Sequence, residues 1–334
     1  MGGFPVARVI AEHKGAYRVK NVNGEYLAKI TGQQMFNALS REDFPAVGDW
    51  VAITELDEER AVIHKVLPRM TIIKRKYSSK NETQVIATNI DVALVIESVD
   101  GDYNLNRFER YFAIAAEGGI KPAIVLNKTD LISKKELDSK LAQIKNRFND
   151  IEVIPTSTIT DEGLEELKKF ILRGKTYCFL GSSGVGKSSL INKLLERDVL
   201  KTKTISLRTG RGKHATTGRE MYFLKNGGIV IDNPGMREVG MTDTGTGIDS
   251  LFDEITALAE KCRYVDCTHV HEPGCEVLSA VKSGKLDEDK YYNYINLKKE
   301  VEYYETTALE KREKDHQFGK FIKKAKKEIE RYKH

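Results

Sequence analysis

The order of two motifs constrains this chain more than any other feature. The tetrad Asn127-Lys128-Thr129-Asp130, of the kind that reads a guanine base, comes before the phosphate-loop pattern Gly181-Ser182-Ser183-Gly184-Val185-Gly186-Lys187-Ser188-Ser189. A guanine-nucleotide fold ordinarily meets the phosphates first and the base last. The reversed order implies a circularly permuted α/β fold.

The phosphate-loop spacing is complete: Gly181, four residues, then Gly186-Lys187-Ser188. Thr176-Tyr177-Cys178-Phe179-Leu180 reads as a buried strand before it, and Ser189 to Leu194 as a helix after it. Backbone amides converging in such a loop suit phosphate oxygens, Lys187 can bridge the β- and γ-phosphates, and the Ser188 hydroxyl can ligate Mg²⁺. Further on, the apolar run Gly228-Ile229-Val230-Ile231 delivers Asp232-Asn233-Pro234-Gly235, preceded by a strand from Glu220 to Leu224. Asp232 can hold Mg²⁺ through water, and the Gly235 N–H can report on the γ-phosphate.

The tetrad leaves a strand of its own, Pro122 to Leu126. The Asp130 carboxylate can accept from guanine N1–H and the exocyclic amine, Asn127 can serve the O6/N7 side and brace the phosphate loop, and the Lys128 stem can cover the base. Adenine would leave these groups unmatched, which disfavours ATP. Thr156-Ser157-Thr158, followed by Gly163-Leu164, is similar to the last guanine-nucleotide motif, whose backbone touches O6. On this reading Ser157 and Thr158 join the base site. Asp161-Glu162-Gly163 equally suits a plain loop leading into a helix around Leu164, Leu167 and Ile171.

Between loop and Asp232 lies a polar, basic stretch, Gly210-Arg211-Gly212-Lys213-His214-Ala215-Thr216-Thr217-Gly218-Arg219, expected to be ordered by nucleotide or partner. One of Thr216 and Thr217 should ligate Mg²⁺, and Thr217 is favoured because it lies nearer the following strand. Met236 stands where Ras-type enzymes carry a water-orienting glutamine, so His214 is the nearest catalytic substitute. A histidine beside Lys213 and Arg211 equally suits an RNA phosphate.

With 334 residues, 40% hydrophobic and 31% charged, the chain has room for two or three domains. It has no apolar run long enough to span a membrane, and Met1-Gly2-Gly3-Phe4-Pro5 lacks the basic region and core of a signal sequence, so a cytoplasmic location is expected. From Ala7 to about Val66, short alternating segments (Ala7–Ala11, Ala16–Val19, Glu25–Ile30, Trp50–Glu55) predict a small β-barrel of OB type, a module that binds nucleic acid or is purely structural. Residues 67–76 are expected to cross into the nucleotide domain. There a strand from Asp91 to Val99 and a helix from Leu105 to Ala116 open an α/β alternation that requires a mostly parallel sheet.

Cys178 reads as a core residue. The other cysteines cluster: Cys262, four residues, Cys267, one residue, His269, five residues, Cys275. That is a Cys₃His set for one structural, tetrahedral Zn²⁺, with His271 as the rival ligand. After Ser283 the chain is dense in Lys, Glu and Tyr and reads as exposed helices with basic faces, notably across Phe318 to Lys327. Net charge is only +5, so RNA contact would rest on local basic clusters.

Taken in this order, barrel, permuted nucleotide fold and Cys₃His loop make the sequence resemble the RsgA (YjeQ) family of ribosome biogenesis GTPases. Asn104-Leu105-Asn106-Arg107-Phe108-Glu109-Arg110 also looks like that family's element before the first helix. The resemblance implies a chain of three domains: barrel at 1–68, permuted GTPase at 69–245, and zinc domain with a basic helical extension at 246–334. It also implies GTP hydrolysis stimulated by the small ribosomal subunit late in that subunit's maturation, with 16S-type rRNA as the main contact, Mg²⁺ accompanying GTP, His214 as the catalytic histidine, and a monomer off the ribosome. Ala215 and Met236 depart from the family's first threonine and its aromatic residue. The alternative is a weakly hydrolysing, GTP-gated RNA-binding or translation-regulatory module. Permutation sends the segment after Gly235 toward the zinc loop, so GTP loading is expected to reorient the zinc module against its RNA partner.

Overall fold

The computed structural model describes residues 4–13, 15–76, 83–100, 103–197, 200, 219–233 and 246–305. The chain opens with β1 (Val6–His13), β2 (Ala16–Lys20) and β3 (Glu25–Ile30), an antiparallel meander. In β3 the buried residues are Tyr26 and Ala28, with Glu25, Leu27 and Lys29 outward, the two-residue period of a half-buried strand. Helix α1 (Gly32–Asn37) follows, its first turn capped by the Thr31 hydroxyl accepting from the Gln34 N–H.

Strands β4 (Trp50–Glu55) and β5 (Arg60–Val66) close the barrel. β5 runs parallel to β3, and β4 pairs with both β5 and β1. The circuit β1-β2-β3-β5-β4-β1 is the OB arrangement, filled by Val9, Val19, Val51, Ile53 and Ile63. The expected crossing segment is more structured than a linker: β6 (Ile72–Lys76) forms a hairpin with β7 (Thr83–Thr88).

The nucleotide fold contributes β8 (Val92–Ser98), α2 (Leu105–Glu117), β9 (Lys121–Asn127), α3 (Lys134–Arg147), β10 (Val153–Pro155), α4 (Leu164–Phe170), β11 (Thr176–Leu180), α5 (Lys187–Leu195), β12 (Glu220–Phe223) and β13 (Ile229–Asp232). The sheet order is β10-β9-β8-β11-β13-β12, parallel except for β12. Val95, Cys178 and Ile231 face one core shared with α2, while Leu94, Ile96, Phe179 and Val230 face another shared with α4 and α5. Strands buried on both faces explain their near-continuous apolar sequences.

β12 also pairs with β1, joining barrel and nucleotide fold in one sheet. The joint is braced by the buried Arg8, whose guanidinium donates to the carbonyls of Gly48 and Asn89 and to the Thr176 hydroxyl.

The C-terminal part is helical: α6 (Thr246–Leu251), α7 (Asp253–Ala259), α8 (Glu276–Lys282) and α9 (Glu288–Glu305). α9 is not the exposed helix its composition suggests. Tyr291, Tyr294, Ile295, Leu297 and Val301 are buried in the core that also holds α2, and Arg110 forms a bidentate pair with Glu300 at 2.5 and 2.6 Å. The basic stretch 318–327 lies outside the described residues. Among the described residues, no helix is long and apolar enough to cross a membrane.

Candidate nucleotide site and metal centre

β11 ends at Leu180, so the phosphate loop leaves the carboxyl edge of the sheet, where open α/β sheets bind ligands. Two glycines in it are obligatory. Gly181 has φ +146° and a Cβ there would fall 2.3 Å from the Ile96 carbonyl oxygen; Gly186 has φ +99° and a Cβ there would fall 2.2 Å from Asn127 Nδ2. Lys187 opens α5, and its ammonium donates to the carbonyls of Gly181 and Ser182, both at 2.7 Å. These bonds hold the loop shut around the lysine and leave its remaining N–H for a phosphate oxygen.

Burial pushes the Lys187 ammonium down to about 8. It also pushes the Asp232 carboxyl, at the end of β13, up to about 6 against the opposing pull of Lys187. Each group is held in a charge-poor setting that a triphosphate and a hard divalent cation would relieve, so the donor chemistry fits Mg²⁺ with GTP. Ser188 stands next to Lys187 in the first turn of α5. His214, Thr216, Thr217, Gly235 and Met236 lie outside the described residues.

The tetrad Asn127 to Asp130 sits at the end of β9 on the same edge. Asn127, fully buried, donates from Nδ2 to the Val185 carbonyl at 2.8 Å and accepts at Oδ1 from the Thr156 hydroxyl at 3.2 Å. One side chain therefore ties the tetrad, the phosphate loop and the 156–158 turn together. Lys128 adopts the left-handed conformation, φ +62°, and its ammonium pairs with Asp100 at 2.8 Å.

Ser157 does its work with its side chain. Its hydroxyl donates to Asp130 Oδ1 at 2.5 Å and accepts from the N–H groups of Ile159 and Thr160, which aims the carboxylate and shapes the turn. With the Ser157 N–H bound to the Glu162 carbonyl, the Thr158 N–H remains available for a carbonyl such as O6. The turn closes on Gly163, where a Cβ would meet the Pro155 oxygen at 1.9 Å. Sequence reasoning missed Asp100 and the Ser157 side-chain contact. Neither follows from a motif, because each depends on two segments meeting in space.

The Cys₃His cluster forms in the loop between α7 and α8. The donor atoms of Cys262, Cys267, His269 and Cys275 all lie within 4.8 Å of one another. Cys262 Sγ is 3.8 Å from Cys275 Sγ, and His269 Nδ1 is 3.6 and 3.5 Å from these two sulfurs. A tetrahedron with zinc–sulfur bonds of about 2.3 Å has edges of about 3.8 Å, so donor set and spacing fit a structural Zn²⁺.

The supporting residues are also present. Cys275 caps α8, its sulfur accepting from the Leu278 N–H at 3.4 Å, and the Tyr291 hydroxyl donates to the His269 carbonyl at 2.8 Å. The Glu272 carboxylate accepts from the N–H groups of Thr268, Val270 and His271 at 3.0 to 3.1 Å, folding the loop, and the bond from the Thr268 hydroxyl, with backbone N–H groups including those of His271 and Thr268, holds its pKa far below the usual carboxylate range. His271, the rival ligand, is exposed and outside the cluster.

Comparison with known proteins decides the family. The RsgA GTPase family model matches residues 66–242. The chain belongs to the RsgA GTPase family. It is 38% identical to the small ribosomal subunit biogenesis GTPase RsgA 1 of Bacteroides thetaiotaomicron over 323 residues, covering 96% of this chain and 90% of that protein. It is 40% identical to RsgA 2 of Lactiplantibacillus plantarum over 303 residues, covering 90% and 84%. Among solved structures it resembles YjeQ from Thermotoga maritima, with TM-score 0.66 and 26% identity over 89% of this chain and 98% of that one. The fold is also that of YloQ, described as a circularly permuted GTPase, with TM-score 0.64, 22% identity, and coverage of 92% and 98%. This RsgA-family chain is therefore a GTP-hydrolysing enzyme of ribosome biogenesis with a permuted nucleotide fold, a barrel ahead of it and a Cys₃His zinc cluster behind.

Proposed function

We propose that this GTPase acts on the small ribosomal subunit, hydrolysing GTP to GDP and phosphate when the assembled subunit is engaged through its 16S-type rRNA. The contact from Asn127 to Val185 at 2.8 Å carries the reading, because it makes base reader and phosphate cradle parts of one site. Asn127 and Asp130 read guanine, Lys128 covers it, and the Thr158 N–H takes O6. Gly181 to Ser189 surround the phosphates, with Lys187 neutralising charge on the β- and γ-oxygens.

Ser188, Asp232 and Thr217 would hold Mg²⁺, which when bound would supply positive charge against the negative charge that builds on the phosphates in the transition state. The Gly235 N–H would report on the γ-phosphate, and His214 would orient the attacking water or accept its proton. The reading keeps domain limits near 68 and 245, with the family match at residues 66–242 as support, and a cytoplasmic monomer off the ribosome.

The experiment is GTP turnover titrated with small subunits, large subunits and neither, repeated with His214→Ala. The proposal expects acceleration by small subunits alone and its loss in the variant. Equal turnover in all three conditions would favour the weakly hydrolysing RNA-binding module, and an unaffected variant would leave His214 to RNA contact.

A further inference from the structure

β12 starts where the basic segment after the phosphate loop ends, and the barrel grips its first residues. Ala11 of β1 is the register partner of Glu220. Arg18 of β2 places Nη1 3.0 Å from Glu220 Oε1, and one residue earlier the charges are exchanged, with Arg219 Nη1 3.4 Å from Glu12 Oε2. The Lys20 ammonium lies 5.1 Å from the centre of the Phe223 ring. These contacts join the barrel to β12 and the residue before it.

On its other edge, β12 pairs with β13, and Glu220 is the register partner of Asp232. Directly opposed residues of an antiparallel pair project from the same face, so the Glu220 carboxylate shares its face with Asp232. The Tyr222 hydroxyl donates to the second Glu220 oxygen at 2.9 Å, leaving the first to Arg18. Without the guanidinium, a carboxylate at 220 would stand beside Asp232 with like charge and with one anchor fewer.

We propose that Arg18, a barrel residue remote in sequence from every nucleotide motif, is a positioning residue of the GTPase. Through Glu220 it fixes the end of β12 and so the place of Asp232 relative to Mg²⁺. A partner that shifts the barrel therefore reaches the metal side of the nucleotide site through this ion pair. The inference rests on Asp232 serving Mg²⁺, as proposed above.

The test measures equilibrium affinity of the full chain for a non-hydrolysable GTP analogue, in Mg²⁺ and in EDTA, for the wild type, Arg18→Ala, Glu220→Gln, the double variant and Asp232→Asn. Arg18→Ala should cut the affinity gained from Mg²⁺ about fivefold, and by less than about twofold when Glu220→Gln is already present, with EDTA affinity kept. An equal loss in both backgrounds, or no loss from Arg18→Ala while Asp232→Asn abolishes the gain, overturns the role of Arg18 and leaves Asp232 in place. If Asp232→Asn keeps the full gain, the metal reading itself fails. Should EDTA affinity fall in Arg18→Ala, Arg18→Gln takes its place, and a fall in both marks a general structural role and overturns the proposal.

Discussion

Asn127, at the end of β9, and Val185, in the phosphate loop 58 positions later, meet in one hydrogen bond, Nδ2 to carbonyl oxygen at 2.8 Å, with the asparagine fully buried. Losing it leaves the Val185 carbonyl without its donor in the interior, a cost of about 1–3 kcal/mol. Asn127→Ala should weaken GDP and GTP alike by about 10- to 100-fold in a fluorescence titration. Loss confined to GTP would argue against a brace shared by base and phosphates.

Gly186 is where the same contact constrains the backbone. Gly186→Ala combines φ +99° with a Cβ 2.2 Å from Asn127 Nδ2, so it should abolish nucleotide binding. Gly15, at φ +77° with open space around it, offers a control whose alanine variant should bind GDP as the wild type does.

The buried Lys187 gives nucleotide binding a pH dependence of known sign. Phosphate favours the charged ammonium, whose pKa in the free protein is pushed down to about 8, so Mg²⁺-free GDP affinity should fall as pH rises above that value. Phosphate itself titrates near pH 6 and does not interfere. The unfolded chain binds more protons between about 8 and the ordinary lysine value of 10.5, so stability of the free protein from this group should rise with pH across that window. Isothermal titration and thermal melts at pH 7 to 10 check both.

The zinc cluster predicts one metal per chain and an unequal response of two histidines. His269→Ala should lose zinc by atomic absorption, and with it the fold of the 262–275 loop, whereas His271→Ala should keep both. Chelation should likewise expose Tyr291, whose hydroxyl holds the His269 carbonyl.

Much of this architecture was legible because it is local. The alternation in Glu25–Ile30, the apolar run into Asn127, the glycine spacing around Lys187 and the cysteine pattern from Cys262 to Cys275 are each confined to one short segment. What stayed hidden depends on tertiary contact. The 72–88 hairpin is interrupted by a polar stretch that hides its second strand. Ser157 aims Asp130 across a gap of 27 positions, Asp100 holds Lys128 across 28, and Arg18 meets Glu220 across 202. The charged residues of α9, of both signs, masked the tyrosines that bury it.

The central claim is that guanine is read by Asp130 at a site whose phosphates are held by a loop arriving later in the chain. Asp130→Asn exchanges an acceptor for a donor at the base edge, and competition between GTP and xanthosine triphosphate reads the result directly. The account predicts that GTP affinity falls about 100-fold or more while the xanthine nucleotide becomes the preferred ligand. Undiminished preference for GTP in the variant would contradict it.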